Sequence, residues 1–267
     1  MADNTKDTNS EIEKNPAKLY TPRFHEDGTP ISGDVELGGV HDISKDSKKF
    51  SISVYQKSNF ENLYFEEYKK KNSKVKLEIN ELGIFLNENI FKIEKLLSTF
   101  IKDIIFVVNH KDLLSVDMSI KKNNNGNEIT LENIKHSLNE IKSQFEDSFK
   151  DKTLIHMIIN KYLIDGKEFL TFPQNLNCQI FSLDVTFISL SNNLIKELEI
   201  ICKKYHISIS KFVSAEYVKK ISQLNNDEDI FFMTKKIIDG FNDNEVIISS
   251  KISRKKGFFE RFFQLFG

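Results

Sequence analysis

From Val116 to Leu224 the apolar spacing switches repeatedly between a period of two and a period of 3.6, which demands a mixed fold. Val116, Met118 and Ile120 alternate with Asp117 and Ser119, the pattern of a half-buried strand. Asn123-Asn124-Asn125-Gly126 supplies a turn and Thr130 a helix N-cap. Ile134, Leu138, Ile141, Phe145 and Phe149 then form one helical face. Leu154 to Ile159 reads as a buried strand and Ile164-Asp165-Gly166 as a turn. Phe172-Pro173 opens a loop. Phe181, Leu183, Val185 and Phe187 alternate as a further strand. Ser191 can cap a helix carrying Leu194, Ile195, Leu198, Ile201 and Cys202. Ile207, Ile209, Lys211 and Val213 read as a strand, and Ala215 to Leu224 as a short helix. The predicted order is strand, helix, strand, strand, helix, strand, helix, and the predicted class is α+β.

The flanks are less regular. Residues 1–48 are polar, hold Pro16, Pro22 and Pro30, and offer few apolar side chains against ordering entropy, so a disordered tail is expected there. Order is expected from Phe50, with strands at Ser51–Tyr55 and Val75–Ile79. Ile90, Ile93, Leu97 and Ile101 recur at helical spacing, and Ile104 to Val108 reads as a short buried strand. In 225–253, Phe231, Phe232, Ile237 and Ile238 are placed to pack on the domain. Val246-Ile247-Ile248 has strand character, and Lys251 to Gly257 reads as a linker.

Composition excludes several chemistries. Lys+Arg 38 against Asp+Glu 39 gives a net charge of -1, so a basic nucleic-acid binder is not signalled. Ten glycines in 267 residues fall well below the average usage of about 7%, which argues against several glycine-rich phosphate loops. Cys178 and Cys202 form neither a disulfide framework nor a CxxC site, which fits a reducing compartment. None of the six histidines pairs at metal spacing, and His156, inside an apolar strand, reads as a satisfied structural histidine. Glu140, Glu146 and Asp147 read as a solvated helix face. No G-x-S-x-G, H-E-x-x-H or Walker A motif occurs. No catalytic, cofactor-binding or metal-binding residue is assigned. Met1 to Lys14 lacks an apolar core for a secretory signal, and no run approaches the roughly 18 apolar residues of a membrane span. The expected compartment is therefore the cytosol.

The sharpest local signal is the run from Arg254 to Gly267. On a helix, Phe259, Phe262, Phe263 and Phe266 share a face, with Phe258 and Leu265 at its edges and Glu260 and Gln264 opposite. Arg254, Lys255, Lys256 and Arg261 outnumber Glu260. An amphipathic helix of this kind lies in the interface of an anionic membrane. Each buried Phe contributes at most about 1.5–3 kcal/mol and each basic residue about 1 kcal/mol. Two other seats exist for such a helix, the protein's own core and a partner's groove. Terminal position, the preceding linker and the basic cluster favour membrane. One copy should bind weakly and reversibly, and several on an assembled scaffold firmly.

Several segments resemble the bacterial cell-division protein FtsA family. Ile129-Thr130-Leu131-Glu132-Asn133-Ile134 is similar to the Ile-Thr-x-x-Asp-Ile segment that opens a helix there. Ile155-His156-Met157-Ile158 with Tyr162-Leu163-Ile164-Asp165-Gly166 resembles the family's His-x-Ile-Pro-x-x-Tyr-x-Ile-Asp-Gly run, with Pro173 where a proline follows. Leu183-Asp184-Val185-Thr186-Phe187-Ile188-Ser189 resembles its Leu-x-Val-x-x-x-Ile-Thr strand. Asn193-Leu194-Ile195 and Phe212-Val213-Ser214-Ala215 fit the next helix and strand. Gly257-Phe258-Phe259-Glu260-Arg261-Phe262-Phe263 is similar to the family's membrane-targeting helix. The order and spacing of these pieces agree across about 85–224 and the last dozen residues.

The resemblance implies a strand-helix-strand-strand unit inserted in, or packed on, a remnant of an actin-like first lobe. The implied organisation is a disordered tail at 1–48, the lobe remnant at 49–113 and the inserted unit at 114–224. A variable segment and linker follow at 225–253, then the membrane helix at 254–267. The family's phosphate loops, Asp-x-Gly-Ser/Thr and Asp-x-Gly-Gly-Gly-Thr, are missing, and Asp34-Val35-Glu36-Leu37-Gly38-Gly39 imitates them poorly. Too few residues follow Leu224 for a second lobe. ATP binding and ATPase activity are therefore not carried over, and direct docking of FtsZ, whose site lies mostly in that lobe, is left open. The implied function is a non-enzymatic division adaptor on the cytoplasmic face of the membrane. Its expected partners are division proteins, anionic lipid and further copies of itself, with no nucleic acid. The alternatives are a scaffold of another envelope assembly, such as a pilus-type adaptor of the same superfamily, and an actin-like ATPase with diverged loops.

Overall fold

The computed structural model describes residues 35–41, 49–56, 61–69, 79–222 and 230–247. The first group of elements is β1 (Val35–His41), β2 (Lys49–Gln56), β3 (Asn62–Lys69), α1 (Ile79–Leu97) and β4 (Asp103–Val108). Next come β5 (Leu114–Asn123), α2 (Leu131–Ser148), β6 (Lys152–Ile164), β7 (Lys167–Phe169) and β8 (Ile180–Ser191). The chain returns through α3 (Asn192–Lys203), β9 (Ser208–Ser214), α4 (Ala215–Ser222), α5 (Ile230–Ile238) and β10 (Glu245–Ile247). The fold is α+β, as expected, and the β5–α2–β6–β8 order is strand, helix, strand, strand.

Two sheets carry these elements. The first runs β3-β2-β1-β4-β9, antiparallel across β1–β2 and β2–β3 and parallel across β1–β4 and β4–β9. Parallel neighbours need a crossover connection. Between β4 and β9 that crossover contains α3 and the whole β5–β8 unit. The second sheet runs β10-β6-β8-β5, with β7 paired to β6.

Each sheet has its own core. α1 places Leu82, Phe85, Leu86, Ile90, Ile93 and Leu97 on one stripe, three and four residues apart, in the first core, where the Phe85 ring lies 6.1 Å from that of Phe50 in β2. In the second core, Ile134, Leu138, Ile141 and Phe145 of α2 cover Met157, Leu183, Val185 and Phe187. Phe145 stacks on Phe187 with centroids 4.8 Å apart and planes 10° from parallel. The opposite face of this sheet carries polar side chains except where Ile158, Ile188 and Leu190 join the first core. Ser119 donates to Asp184 at 2.6 Å, and Asn160 donates to Thr186, which in turn donates to Asp117. This apolar-in, polar-out division is what the period-two pattern of β5 and β8 dictates.

Local signals position the ends of these elements. Thr130 Oγ1 accepts from Asn133 N–H while Asn133 Oδ1 accepts from Thr130 N–H, a reciprocal cap on α2. Ser191 caps α3 through Leu194 N–H. Asp165 and Gly166 both take positive φ, 46° and 81°, in the tight β6–β7 turn. The Asp165 carboxylate there accepts from the N–H groups of Gln179 and Ile180.

The structure differs from the sequence expectation in four places. β1 lies inside the stretch expected to be a disordered tail. It pairs with β2 on one side and β4 on the other, so tertiary pairing overrides a weak, glycine-containing strand pattern. Gly38 and Gly39 consequently sit within a strand. β3, which pairs with β2 over Asn62–Lys69, has no sequence counterpart. Ile79 opens α1 rather than ending a strand. β9, expected within the inserted unit, pairs with β4 in the first sheet.

Two outcomes test this packing. Phe145→Ala should destabilise the protein by about 3–5 kcal/mol, read as a lower urea midpoint, because the vacated ring volume lies between α2 and β8. Cys178 and Cys202 are both buried, and burial pushes the Cys202 thiol up to about 12. A thiol reagent at neutral pH should therefore modify neither in the folded protein and both after denaturation.

Candidate functional site

The two sheets meet along β6, and a buried polar network lies at the meeting point. The register of β6 against β8 shifts between Leu154 and His156. That bulge lets Ile155 join the first core while its neighbour His156 also reaches first-sheet elements, which regular alternation forbids. His156 Nε2 accepts from the main-chain N–H of Ser214, at the end of β9, at 2.9 Å. A backbone N–H only donates, so Nδ1 carries the ring proton and donates to Glu245 Oε1 at 2.6 Å. Glu245, in β10, accepts a second bond at Oε2 from the Tyr217 hydroxyl of α4, at 2.7 Å. The Tyr217 oxygen accepts from Asn242 Nδ2 at 3.0 Å. The His156 and Tyr217 rings lie 4.6 Å apart. Burial, and then the Glu245 carboxylate, hold the Tyr217 phenol far above its ordinary range, so it remains a neutral donor.

A histidine paired with a carboxylate is the arrangement of a general base and its orienting group. Here Nε2, the atom that would take a proton from a substrate, is occupied by a main-chain donor. The His156 and Glu245 side chains are 0% and 2% exposed. The pair is built as a clamp that ties β6 and β10 to β9 and α4. Among the described residues, no group of three or more His, Cys, Asp or Glu side chains is placed to hold a metal ion.

Beside the clamp a cleft of about 380 Å³ opens between the second sheet and α4. Leu113, Ile158, Ile188 and Ile221 give it an apolar wall, and the exposed Ser115 and Asn160 lie on its rim. Tyr217 and Asn242 belong to both cleft and clamp.

All the membrane-binding residues expected from sequence, Arg254, Lys255, Lys256, Phe258, Phe259, Arg261, Phe262, Phe263, Leu265 and Phe266, lie outside the described residues. Among those that are described, no helix is long and apolar enough to cross a membrane. His156 is the satisfied structural histidine expected. Its partners were not anticipated, because Glu245 and Tyr217 come from segments with weak periodicity. The available signal was a carboxylate directly before the apolar pair Val246-Ile247.

Removing one member of the clamp should leave a buried group unpaired. Glu245→Ala should cost about 2–6 kcal/mol by denaturant unfolding, because two buried donors lose their acceptor at about 1–3 kcal/mol each. Tyr217→Phe should cost about 1–3 kcal/mol, and the double variant less than the sum. Additive losses would show that the two side chains act independently.

No protein-family model matches the chain, and no curated protein matches it. Among solved structures, it is similar to the cytoplasmic domain of EpsL, an inner-membrane component of the type II secretion system of Vibrio cholerae. The identity is 9% and the TM-score 0.35, over 69% of this chain and 58% of that one. It is also similar to a structure of the PilM–PilN type IV pilus biogenesis complex, at 6% identity and a TM-score of 0.40. That likeness covers 70% of this chain and 49% of the other, so the chain spans less than two thirds of either structure.

Proposed function

We propose that this chain is a non-enzymatic, membrane-associated scaffold of an envelope assembly. One observation carries the reading. The chain enters residues 248–267, with their basic Phe-rich run, directly from β10, the strand whose Glu245 locks both sheets together. A segment bound to lipid would thus be anchored to the body as a whole rather than to a loose end. The β5–α2–β6–β8 unit adds a polar, solvent-facing sheet surface suited to protein contacts. The His156–Glu245 pair, the one dyad of catalytic type at the junction, has its reactive nitrogen occupied. The β1–β2 connection, 42–48, contains no glycine of the kind a phosphate loop requires.

A second reading, an adaptor at the division site, is favoured by the motif series from Ile155 to Gly166. Localisation of a tagged copy separates the two: an enduring mid-cell band supports division, and polar or dispersed envelope foci support the wider reading. Magnesium-dependent ATP binding would overturn the non-enzymatic part of either.

The anchor is tested by co-sedimentation with anionic vesicles. Phe262→Glu together with Phe263→Glu should reduce binding by at least about tenfold, since each buried Phe contributes about 1.5–3 kcal/mol. Unchanged binding would sink the anchor.

A further inference from the structure

The chain leaves its described fold at the edge of the cleft. Asn244 lines the cleft, and Ile247, three residues later, ends β10. Exposed apolar surface gathers at the same place. Phe241, which precedes Asn242 of the lining, is 58% exposed. Leu170, whose carbonyl accepts from Asn244 Nδ2 at 2.7 Å, is 72% exposed. These two side chains and the wall of Leu113, Ile158, Ile188 and Ile221 offer apolar surface beside and within one open cleft. The segment that follows carries Phe258 and, at the spacing of one face of a helix, Phe259, Phe262, Phe263 and Phe266. Residues 248–257 between them span up to about 35 Å when extended, ample for a return to the cleft.

We infer that, away from lipid, the Phe face of 258–266 seats in this cleft of its own chain, so that cleft and membrane compete for one apolar surface. The docking stands on the cleft and the chain path; its regulatory consequence rests on the anchor reading above. A tether as short as residues 248–257 gives an effective concentration in the millimolar range. Docking with an intrinsic dissociation constant of about 0.1 mM would therefore fill the cleft about nine-tenths of the time. Lipid releases the segment to the extent that it binds it better than the cleft does. The membrane affinity of the whole chain is then lower than that of its Phe-rich run.

The buried native thiols make a direct test available. Ser115→Cys places one accessible thiol on the cleft's rim, and Asn160→Cys places one at a second rim position. Without vesicles, maleimide should alkylate either thiol about tenfold more slowly than in the same variant carrying Phe262→Glu and Phe263→Glu, the ratio for a cleft nine-tenths occupied. Equal rates at both positions overturn the docking. Protection that fades on dilution would mean that a second copy's segment fills the cleft, and overturns docking within one chain. Adding anionic vesicles should restore the fast rate. Vesicle binding with the slow rate retained overturns the competition. Protection in a chain that ignores vesicles leaves the docking intact and refutes the anchor, so the two failures are distinguishable.

Discussion

A carboxylate moved into a protein interior loses hydration worth several kcal/mol, and Glu245 recovers it only where His156 and Tyr217 converge on it. Those donors come from β6 and α4. His156 is held in turn by the last amide of β9, and Tyr217 by Asn242. The network is satisfied only when both sheets, α4 and the segment leading into β10 are assembled together. Apolar packing alone would tolerate sliding between the sheets; a buried charge with directional partners does not. This is why a three-residue strand such as β10 holds its place.

The legible part of the fold was the part whose stability is local. Thr130 and Ser191 announce their helices because a cap needs only neighbours three residues away. The alternation in β5 and β8 announces strands because one face is apolar and the other wet. β1 was illegible for the opposite reason. Its neighbours in space, β2 and β4, supply the pairing, and Val35-Glu36-Leu37-Gly38-Gly39 has little strand character by itself. The assignment of β9 failed likewise: spacing identifies a strand but not the sheet that takes it. At the junction, His156 stood out as a polar residue in an apolar run, whereas Glu245 looked like an ordinary surface carboxylate until its partners were known.

The two faces of the second sheet divide labour. The α2 side is closed by stacked aromatics and long aliphatic residues and supplies cohesion. The other side is knit by short polar bonds between neighbouring strands, with Lys161 bridging Glu168 and Asp184. Such a surface stays wetted when nothing is bound and still presents hydrogen-bonding groups at fixed spacing. It suits contacts that form and dissolve better than contacts that are permanent.

The crossover between β4 and β9 also bears on the entropy of assembling the first sheet. Asp103 faces Ser208 across that parallel pair, about a hundred residues apart in sequence, and closing so long a loop in an unstructured chain carries a large entropic penalty. If the inserted unit folds first, its ends are brought together and the loop is effectively shortened. Leu114 and Ser189, near the two ends of the unit, are already paired across β5 and β8. The insert then templates the far edge of the first sheet. A lesion deep in its core, remote from β4 and β9, would surface as slow or failed closure of a sheet that contains none of the altered residues.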